Sequence, residues 1–403
     1  MRAVVIGAGL AGLAAADELV RAAVDVELFE ARDRVGGRVW SSQFAGASIE
    51  RGAEFILPDS SSVRSLAGRL GLPLVRKGTL YGDRVPVGGE PVSLAQVKAG
   101  IERLEAYTPR DGETLDVALA ASDLETAVAD AIRSRIEVST AYPASDLDAG
   151  VVREAGAAFG AFDTHSVRGG NGRLPAALAD AVRADRIRLS TPVERVSWEP
   201  GAVRVCSRGT ETVADVAVVA VPASTLAVIA FEPELPAAKV HAQHAVRYGH
   251  AAKLFVGLGS PAAPSATLSV PERFWCYTQL GADGEPLGFT ACFAGTESAL
   301  AELDVAGGPD RWLDSLARLR PDLDLDVGAV ELSTWSDDPW ARGAYSAPSA
   351  SAPLDHAELA RPAGPLAFAG EHTAGAMHGT MEGALRSGVR AAREVLALRR
   401  ARI

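Results

Sequence analysis

Three glycines near the start of the chain have the spacing of a turn that binds phosphate. Gly7, Gly9 and Gly12 follow an apolar segment, residues 2–6, and open an alanine-rich segment that extends to about residue 20. The first glycine allows the tight bend, the second lets the backbone approach a pyrophosphate, and the third lets helix and strand pack closely. The N-terminus of that helix adds free N–H groups and a partial positive charge. The pattern predicts a dinucleotide site; a glycine-rich turn without a ligand is the alternative.

Two further features indicate which dinucleotide is bound. Glu30 closes a second predicted strand, roughly residues 24–29, where a carboxylate accepts both ribose hydroxyls and would repel a 2′-phosphate. We therefore do not expect an NADP-type ligand. Gly36 and Gly37 then precede Arg38, so the chain can turn back over the pyrophosphate and set a guanidinium against it. An NAD-binding unit has no need of this extension, which favours FAD.

Two charged residues stand out at predicted buried strands: Lys253 lies within one, and Glu371 lies just after another. Lys253 interrupts the apolar segment 251–256, and an amine buried there needs a partner or a role. Alternatively, Lys253 lies on the exposed face of a half-buried strand. Glu371 ends the short strand 365–369, where ligands of open α/β sheets gather, and Gly370 permits close backbone approach. We expect Glu371 to hold a ribityl hydroxyl.

A helix is predicted from about Met381 to the end of the chain, with apolar residues at helical spacing. Its N-terminus would point at the edge of a flavin on which negative charge accumulates during reduction. Its small residues Gly383, Ala384 and Gly388 predict packing close to something flat. A plain amphipathic helix is the alternative.

The other elements that position these residues fall into two groups. Residues 59–162 favour helices, at about 63–70, 94–107 and 124–138. From residue 188 the pattern favours strands, at 188–189, 193–198, 203–207, 214–221, 250–257, 274–280 and 287–293, and a helix follows at 310–319.

Together these motifs resemble the flavin-containing amine oxidase family, which includes monoamine, polyamine and L-amino-acid oxidases, protoporphyrinogen oxidases and carotene desaturases. The resemblance rests on segments at both ends and in the middle of the chain: 4–38, 51–55, 169–174, 370–373, 379–384 and 387–388. It therefore spans nearly the whole sequence. It implies an α/β fold in which a Rossmann-like FAD-binding domain (1–58, 163–230 and 346–403) is interleaved with an α+β substrate-binding domain (59–162 and 231–345).

The resemblance also implies roles for individual residues. Lys253 matches a lysine that holds a water against the flavin N5 and assists the reaction with oxygen. Tyr345 matches one wall of an aromatic cage, but Thr380 stands where monoamine oxidases have the second wall. Ala344 replaces the cysteine that those enzymes join to the flavin, so FAD is expected to be non-covalent. The implied cofactor-binding residues are Gly7, Gly9, Gly12, Glu30, Arg32, Gly37, Arg38, Gly52, Ala53, Glu54, Phe55, Val193, Trp335, Gly370, Glu371, Gly379, Thr380 and Met381.

The implied activity is that of an FAD-dependent oxidase acting on a small molecule, an amine or an amino acid. A hydride passes from a C–H next to an amine nitrogen to flavin N5, the imine is hydrolysed to a carbonyl, and dioxygen yields hydrogen peroxide. Thr380 motivates an alternative, a desaturase or dehydrogenase of an apolar polyene, terpene or porphyrinogen-type substrate; a flavoprotein without catalytic function is a third possibility. An amino-acid oxidase would need an arginine for the substrate carboxylate, and the helical segment offers several without ranking them: Arg64, Arg69, Arg76, Arg103, Arg110, Arg133, Arg135 and Arg153.

Composition limits the partners of the chain. The formal net charge of −11 over 403 residues argues against nucleic acids and anionic membrane surfaces. The three cysteines and seven histidines show no metal-ligand spacing, so no metal is expected. The first core strand begins at once and no apolar run has membrane-spanning length, so a cytoplasmic location is expected. The oligomeric state is left open.

Overall fold

The computed structural model describes residues 1–79, 81–153 and 162–400, the last three of them as backbone only. Part of the predicted helical segment 59–162 and the end of the predicted segment 346–403 therefore lie outside the described residues.

A five-stranded parallel sheet has the first apolar strand at its centre. Its strands, in spatial order, are Leu366–Phe368, Val216–Val219, Arg2–Ile6, Asp25–Phe29 and Ile187–Arg188. In the central strand, Ala3 and Val5 face a core shared with helices, whereas Val4 and Ile6 face a core shared with another sheet. Burial on both faces explains why this strand is a continuous apolar run.

The two faces of the parallel sheet have different coverings. Helices Leu10–Arg21, Arg173–Val182 and Met381–Arg400 pack on one face. A four-stranded sheet covers the other, in the order Thr210–Ala214, Ala202–Ser207, Arg195–Glu199 and Ala230–Glu232. This layered α/β arrangement confirms the predicted fold class.

A six-stranded sheet forms a second body of structure. Its order is Leu325–Thr334, Ala251–Leu258, Phe289–Gly295, Phe274–Thr278, Ser265–Ser269 and Val85–Val87, and only the last pair is parallel among these neighbours. Helices Glu297–Glu302 and Asp310–Leu319 cover one face through Leu300, Trp312 and Leu316. Lys253, Phe293 and Trp275 are register neighbours on adjacent strands, so their side chains share the opposite face.

Within residues 59–153, the described helices include Ser61–Arg69, Leu94–Glu105, Leu115–Ala121 and Thr126–Thr140. Ser93 and Gln96 form a reciprocal capping box that fixes the start of the second. The shorter elements are strands Ser41–Phe44, Ala47–Glu50, Leu74–Arg76, His165–Val167, Arg247–Tyr248 and Ser346–Ala347, helices Ala223–Leu226, Ala237–Ala245 and His356–Ala360, and 3₁₀ turns Ala184–Arg186, Glu371–Thr373 and Gly375–Met377.

Several elements were not anticipated by the sequence patterns. The segment 59–162 contains two short strands, Leu74–Arg76 and Val85–Val87, in addition to its helices. The hairpin Ser41–Glu50 and the strand Leu325–Thr334 were also missed, because both are largely half-exposed and lack an apolar run. Among the helices that the structure describes, none is long and apolar enough to cross a membrane.

Candidate active site

One continuous cavity of about 550 Å³ brings together most of the residues selected from the sequence. Lys253, Tyr345 and Thr380 line it, together with every predicted cofactor-binding residue except Gly12. The cavity extends from the C-terminal ends of the parallel strands, at Gly7 and Glu30, to the six-stranded sheet at Trp275. A single ligand can therefore contact both bodies of structure.

The three glycines of the first turn differ in what surrounds them. Gly7 has φ +100°, and a Cβ there would lie 2.9 Å from the carbonyl oxygen of Ala220. A Cβ at Gly12 would collide with the carbonyl oxygen of Gly7, so Gly12 serves helix packing rather than the cavity wall. A Cβ at Gly9 would meet no atom within 4 Å and would point into open space beside the cavity. The turn therefore provides the cradle that a pyrophosphate requires.

The second glycine pair folds back onto this turn. The N–H of Gly36 donates to the carbonyl of Ala8 at 2.8 Å, and a Cβ on Gly37 would approach the Cα of Gly9 to 3.4 Å. Glu30 accepts from the N–H of Ala8 at 2.7 Å and from the N–H of Arg32 at 2.9 Å. Its carboxylate is thus oriented at the end of its strand and retains lone pairs for a ribose.

Arg38 and Glu371 form an ion pair across the cavity wall. Arg38 Nη1 donates to Glu371 Oε1 at 3.1 Å and to the carbonyl of Ala344 at 2.7 Å. Glu371 Oε2 accepts from Ser346 Oγ at 2.6 Å and from the N–H of Gly379 at 2.8 Å. Burial alone would raise the pKa of Glu371, but Arg38 and these donors lower it. The ionised carboxylate therefore joins three separate segments around the cavity.

The predicted helix begins at Met381, and Thr380 caps it. Thr380 Oγ1 accepts from the N–H of Gly383 at 2.9 Å and donates to the carbonyl of Met377 at 2.7 Å. The small residues of this helix allow close packing in two directions. Ala384 lines the cavity, whereas a Cβ at Gly383 would collide with the carbonyl of Met377 and one at Gly388 with the carbonyl of Ala11 in the first helix.

Lys253 is buried, so the exposed alternative for it is wrong. Its Nζ donates to the carbonyls of Glu50 at 2.9 Å and Gly52 at 2.8 Å, and to Glu54 Oε2 at 2.7 Å. Lys77 Nζ lies 2.9 Å from Glu54 Oε1, and the hydroxyl of Tyr277 donates to Glu54 Oε2 at 2.6 Å. Burial alone would raise the pKa of Glu54, but the effect of the two lysines is larger and lowers the pKa to about 2. Lys253 is thus a positive charge fixed beside the cavity.

Aromatic residues line the cavity next to this cluster. We call Phe55, Tyr81, Trp275, Tyr277 and Tyr345 the aromatic end of the cavity. The rings of Trp275 and Tyr277 are stacked with centroids 4.1 Å apart, and Phe55 packs against both. The hydroxyl of Tyr345 donates to the carbonyl of Ser139 at 2.8 Å.

Several members of this site were not selected from the sequence, among them Lys77, Tyr81, Arg84, Trp275 and Tyr277. The alternation in Phe274–Thr278 places Trp275 and Tyr277 on one face of a strand, and this signal could have found them. Val193 and Trp335, which were predicted to bind the cofactor, also lie on the wall; Trp335 Nε1 donates to the carbonyl of Arg51 at 2.9 Å.

A family model connects this geometry with known proteins. The model of the flavin-containing amine oxidoreductases matches residues 10–396. The chain belongs to this family. It is 28% identical to polyamine oxidase 4 of Oryza sativa subsp. japonica over 97% of this chain and 88% of that protein. It is 28% identical to putrescine oxidase of Kocuria rosea over 98% and 94% of the two chains.

A solved structure agrees with the overall fold. A triple mutant of a putrescine oxidase aligns with a TM-score of 0.85 and 25% identity, over 98% of each chain. The chain is accordingly an FAD-dependent oxidoreductase of the amine oxidase type. Amine oxidation, the first of the predicted activities, is confirmed.

Proposed function

We propose that the chain oxidises a small amine using non-covalently bound FAD and dioxygen, in the cytoplasm, with no nucleic acid or membrane as partner. The observation that carries the proposal is the single cavity shared by the glycine turn, Lys253 and Tyr345. When bound, FAD accepts the hydride from the C–H next to the amine nitrogen and passes its electrons to dioxygen. Free thiols at Cys206, Cys276 and Cys292 support a reducing compartment.

Each end of the cavity has a role in this proposal. The turn at Gly7 and Gly9 would hold the pyrophosphate, Glu30 the adenosine ribose, and Arg38 with Glu371 the central part of the cofactor. Residues 52–55 and Thr380, which line the same cavity, would hold the flavin ring, and the partial positive charge at the N-terminus of the helix from Met381 would stabilise negative charge on it. The FAD-binding segments 1–58, 163–230 and 346–403 and the substrate-binding segments 59–162 and 231–345 are part of the same proposal.

Tyr345 and Lys253 act on the reacting atoms. The Tyr345 ring orients a neutral amine and stabilises the positive charge that develops on nitrogen. All three N–H donors of Lys253 Nζ are taken by acceptors within the protein. We therefore assign Lys253 an electrostatic role: its positive charge would stabilise the negative charge that accumulates on the flavin ring during reduction. Thr380 leaves the opposite side of the cage open, since it supplies no second aromatic wall.

The proposal is tested by the colour of the purified protein. We expect a yellow holoenzyme that a panel of primary and secondary amines bleaches in the absence of oxygen. Acid precipitation should leave the flavin in the supernatant, because Ala344 offers no atom for a covalent bond. A folded preparation that no amine bleaches would contradict the function. Flavin that stays with the precipitate would contradict only the non-covalent attachment.

Lys253 and Lys77 allow a matched test of the electrostatic role. Both lysines form an ion pair with Glu54, but of the two only Lys253 lines the cavity. We expect Lys253→Met to slow reoxidation of the reduced flavin by dioxygen roughly tenfold, the effect of about 1.4 kcal/mol, and Lys77→Met to leave that rate near the wild-type value. Stopped-flow mixing of reduced enzyme with oxygen measures both, and equal rates for the two variants would refute the role.

A further inference from the structure

A buried arginine lines the aromatic end of the cavity. Arg84 is 2% exposed and directly precedes the strand Val85–Val87. Its guanidinium carbon lies 3.8 Å from the centroid of the Trp275 ring and 4.4 Å from that of Tyr81. All three side chains line the cavity. A positive charge is therefore held against aromatic faces in the part of the cavity that a substrate would occupy.

Arg84 has unused hydrogen-bonding capacity. Its Nη1 donates to Ser139 Oγ at 3.1 Å, but its buried Nε has no hydrogen-bond acceptor within residues 1–79, 81–153 and 162–400. Two carboxylates on nearby elements have other partners: Asp83 pairs with Lys98 at 2.6 Å, and Glu137 with Arg273 at 3.1 Å. Burial lowers the pKa of Arg84, yet a guanidinium remains charged at neutral pH. A charge buried in this way is expensive unless an anion joins it.

The surroundings of Arg84 favour an anion over a cation. Glu54 is the carboxylate beside the aromatic end, and Lys253 and Lys77 both pair with it. A second buried guanidinium, that of Arg135, donates to the carbonyl of Tyr81 at 3.0 Å and adds positive charge. This end of the cavity therefore repels a substrate that carries several positive charges.

We propose that Arg84 binds the carboxylate of an amino-acid substrate whose side chain is aromatic or apolar. The inference rests on the proposed amine oxidation and adds its substrate class. Ser139 provides the geometric link, because its Oγ accepts from Arg84 while its carbonyl accepts from the Tyr345 hydroxyl. Arg84 and the ring that faces the reacting amine thus meet at one residue, as suits a carboxylate one carbon away from that amine. The guanidinium offers two parallel donors to the two carboxylate oxygens.

The test compares ligands that differ in the carboxylate. Wild-type holoenzyme is reduced anaerobically by each enantiomer of phenylalanine, by phenylalaninamide and by phenethylamine. We expect one enantiomer of phenylalanine to reduce the flavin roughly 30-fold more efficiently than either compound that lacks the carboxylate. Arg84→Met should abolish this preference, because it should lower the efficiency of flavin reduction by phenylalanine but not by the two compounds that lack the carboxylate. Arg76→Met, a change at an exposed arginine, is the matched control and should preserve the preference.

A binding measurement makes the test independent of turnover. Calorimetry should show that wild-type holoenzyme binds phenylacetate more tightly than its neutral amide, and that Arg84→Met loses the difference. If Arg84→Met does not fold, Arg84→Lys, which keeps the charge but not the paired donors, should weaken phenylacetate binding.

Each outcome separates the two proposals. If no amine or amino acid reduces the flavin, the proposed function fails, and phenylacetate binding still decides the role of Arg84. If phenethylamine reduces the flavin as efficiently as phenylalanine, or if phenylacetate and its amide bind equally, the assignment of Arg84 is overturned while amine oxidation stands.

Discussion

Gly12→Ala should produce a protein that cannot retain FAD. The added Cβ would collide with the carbonyl oxygen of Gly7, and neither atom belongs to a flexible side chain that could move aside. Relief of the collision requires the helix Leu10–Arg21 to shift away from the turn, which removes its N-terminus from the pyrophosphate site. Overpacking costs about 1–3 kcal/mol or more even where side chains can adjust. We therefore expect colourless protein, measured as visible flavin absorbance per protein absorbance.

The same substitution at Gly68 is the control. Gly68 lies in the helix Ser61–Arg69, and a Cβ there would meet no atom within 4 Å. Gly68→Ala should retain the wild-type amount of FAD and gain up to about 1 kcal/mol of stability, because alanine is the better helix former. Wild-type FAD content in Gly12→Ala would show that the turn does not depend on this close approach.

The residues that could be predicted from the sequence are those whose role depends on neighbours in the chain. Gly7 and Gly12 lie within one turn and helix start, and Glu30 follows the adjacent strand, so spacing alone predicts their arrangement. The start of the helix at Met381 was predicted in the same way, whereas the capping of this helix by Thr380 was found only in the structure. Local backbone chemistry decides such features, and the structure places them as the pattern indicates.

Contacts between distant segments could not be predicted in this way. Lys253 was selected because a charge in an apolar strand needs a partner, but Glu54 lies 199 residues earlier. Arg84 was not among the arginines considered, although it lies in the same segment, 59–162, where it directly precedes a three-residue strand. Its partners, Tyr81 and Trp275, come together only when Val85–Val87 joins the edge of the six-stranded sheet.

Glu54→Gln should destabilise the protein strongly. Glu54 is 5% exposed and is the carboxylate on which Lys253 and Lys77 converge, at 2.7 and 2.9 Å. Glutamine keeps the shape but removes the charge, leaving two buried ammonium groups next to each other. Removing one partner of a buried ion pair costs roughly 3–5 kcal/mol, and we expect a loss of that size in the free energy of unfolding measured with urea.

Two variants control for the loss of a carboxylate as such. Glu285 is exposed and its side chain forms no ion pair with any described residue, so Glu285→Gln should unfold at the wild-type urea concentration. Adding Lys77→Met to Glu54→Gln removes one of the two uncompensated charges and should restore part of the stability. If Glu54→Gln alone unfolds like the wild type, the cluster does not stabilise the fold.

The pH dependence of unfolding tests the same cluster without a change of shape. The pKa of Glu54 falls from an ordinary 4.5 to about 2 in the folded protein. Because the folded pKa is the lower one, the stabilisation is complete above pH 4.5 and is lost as the pH falls toward 2. A shift of this size corresponds to about 3 kcal/mol. Wild-type stability should therefore fall more steeply across this range than that of Glu54→Gln, and parallel curves would exclude Glu54 as the titrating group.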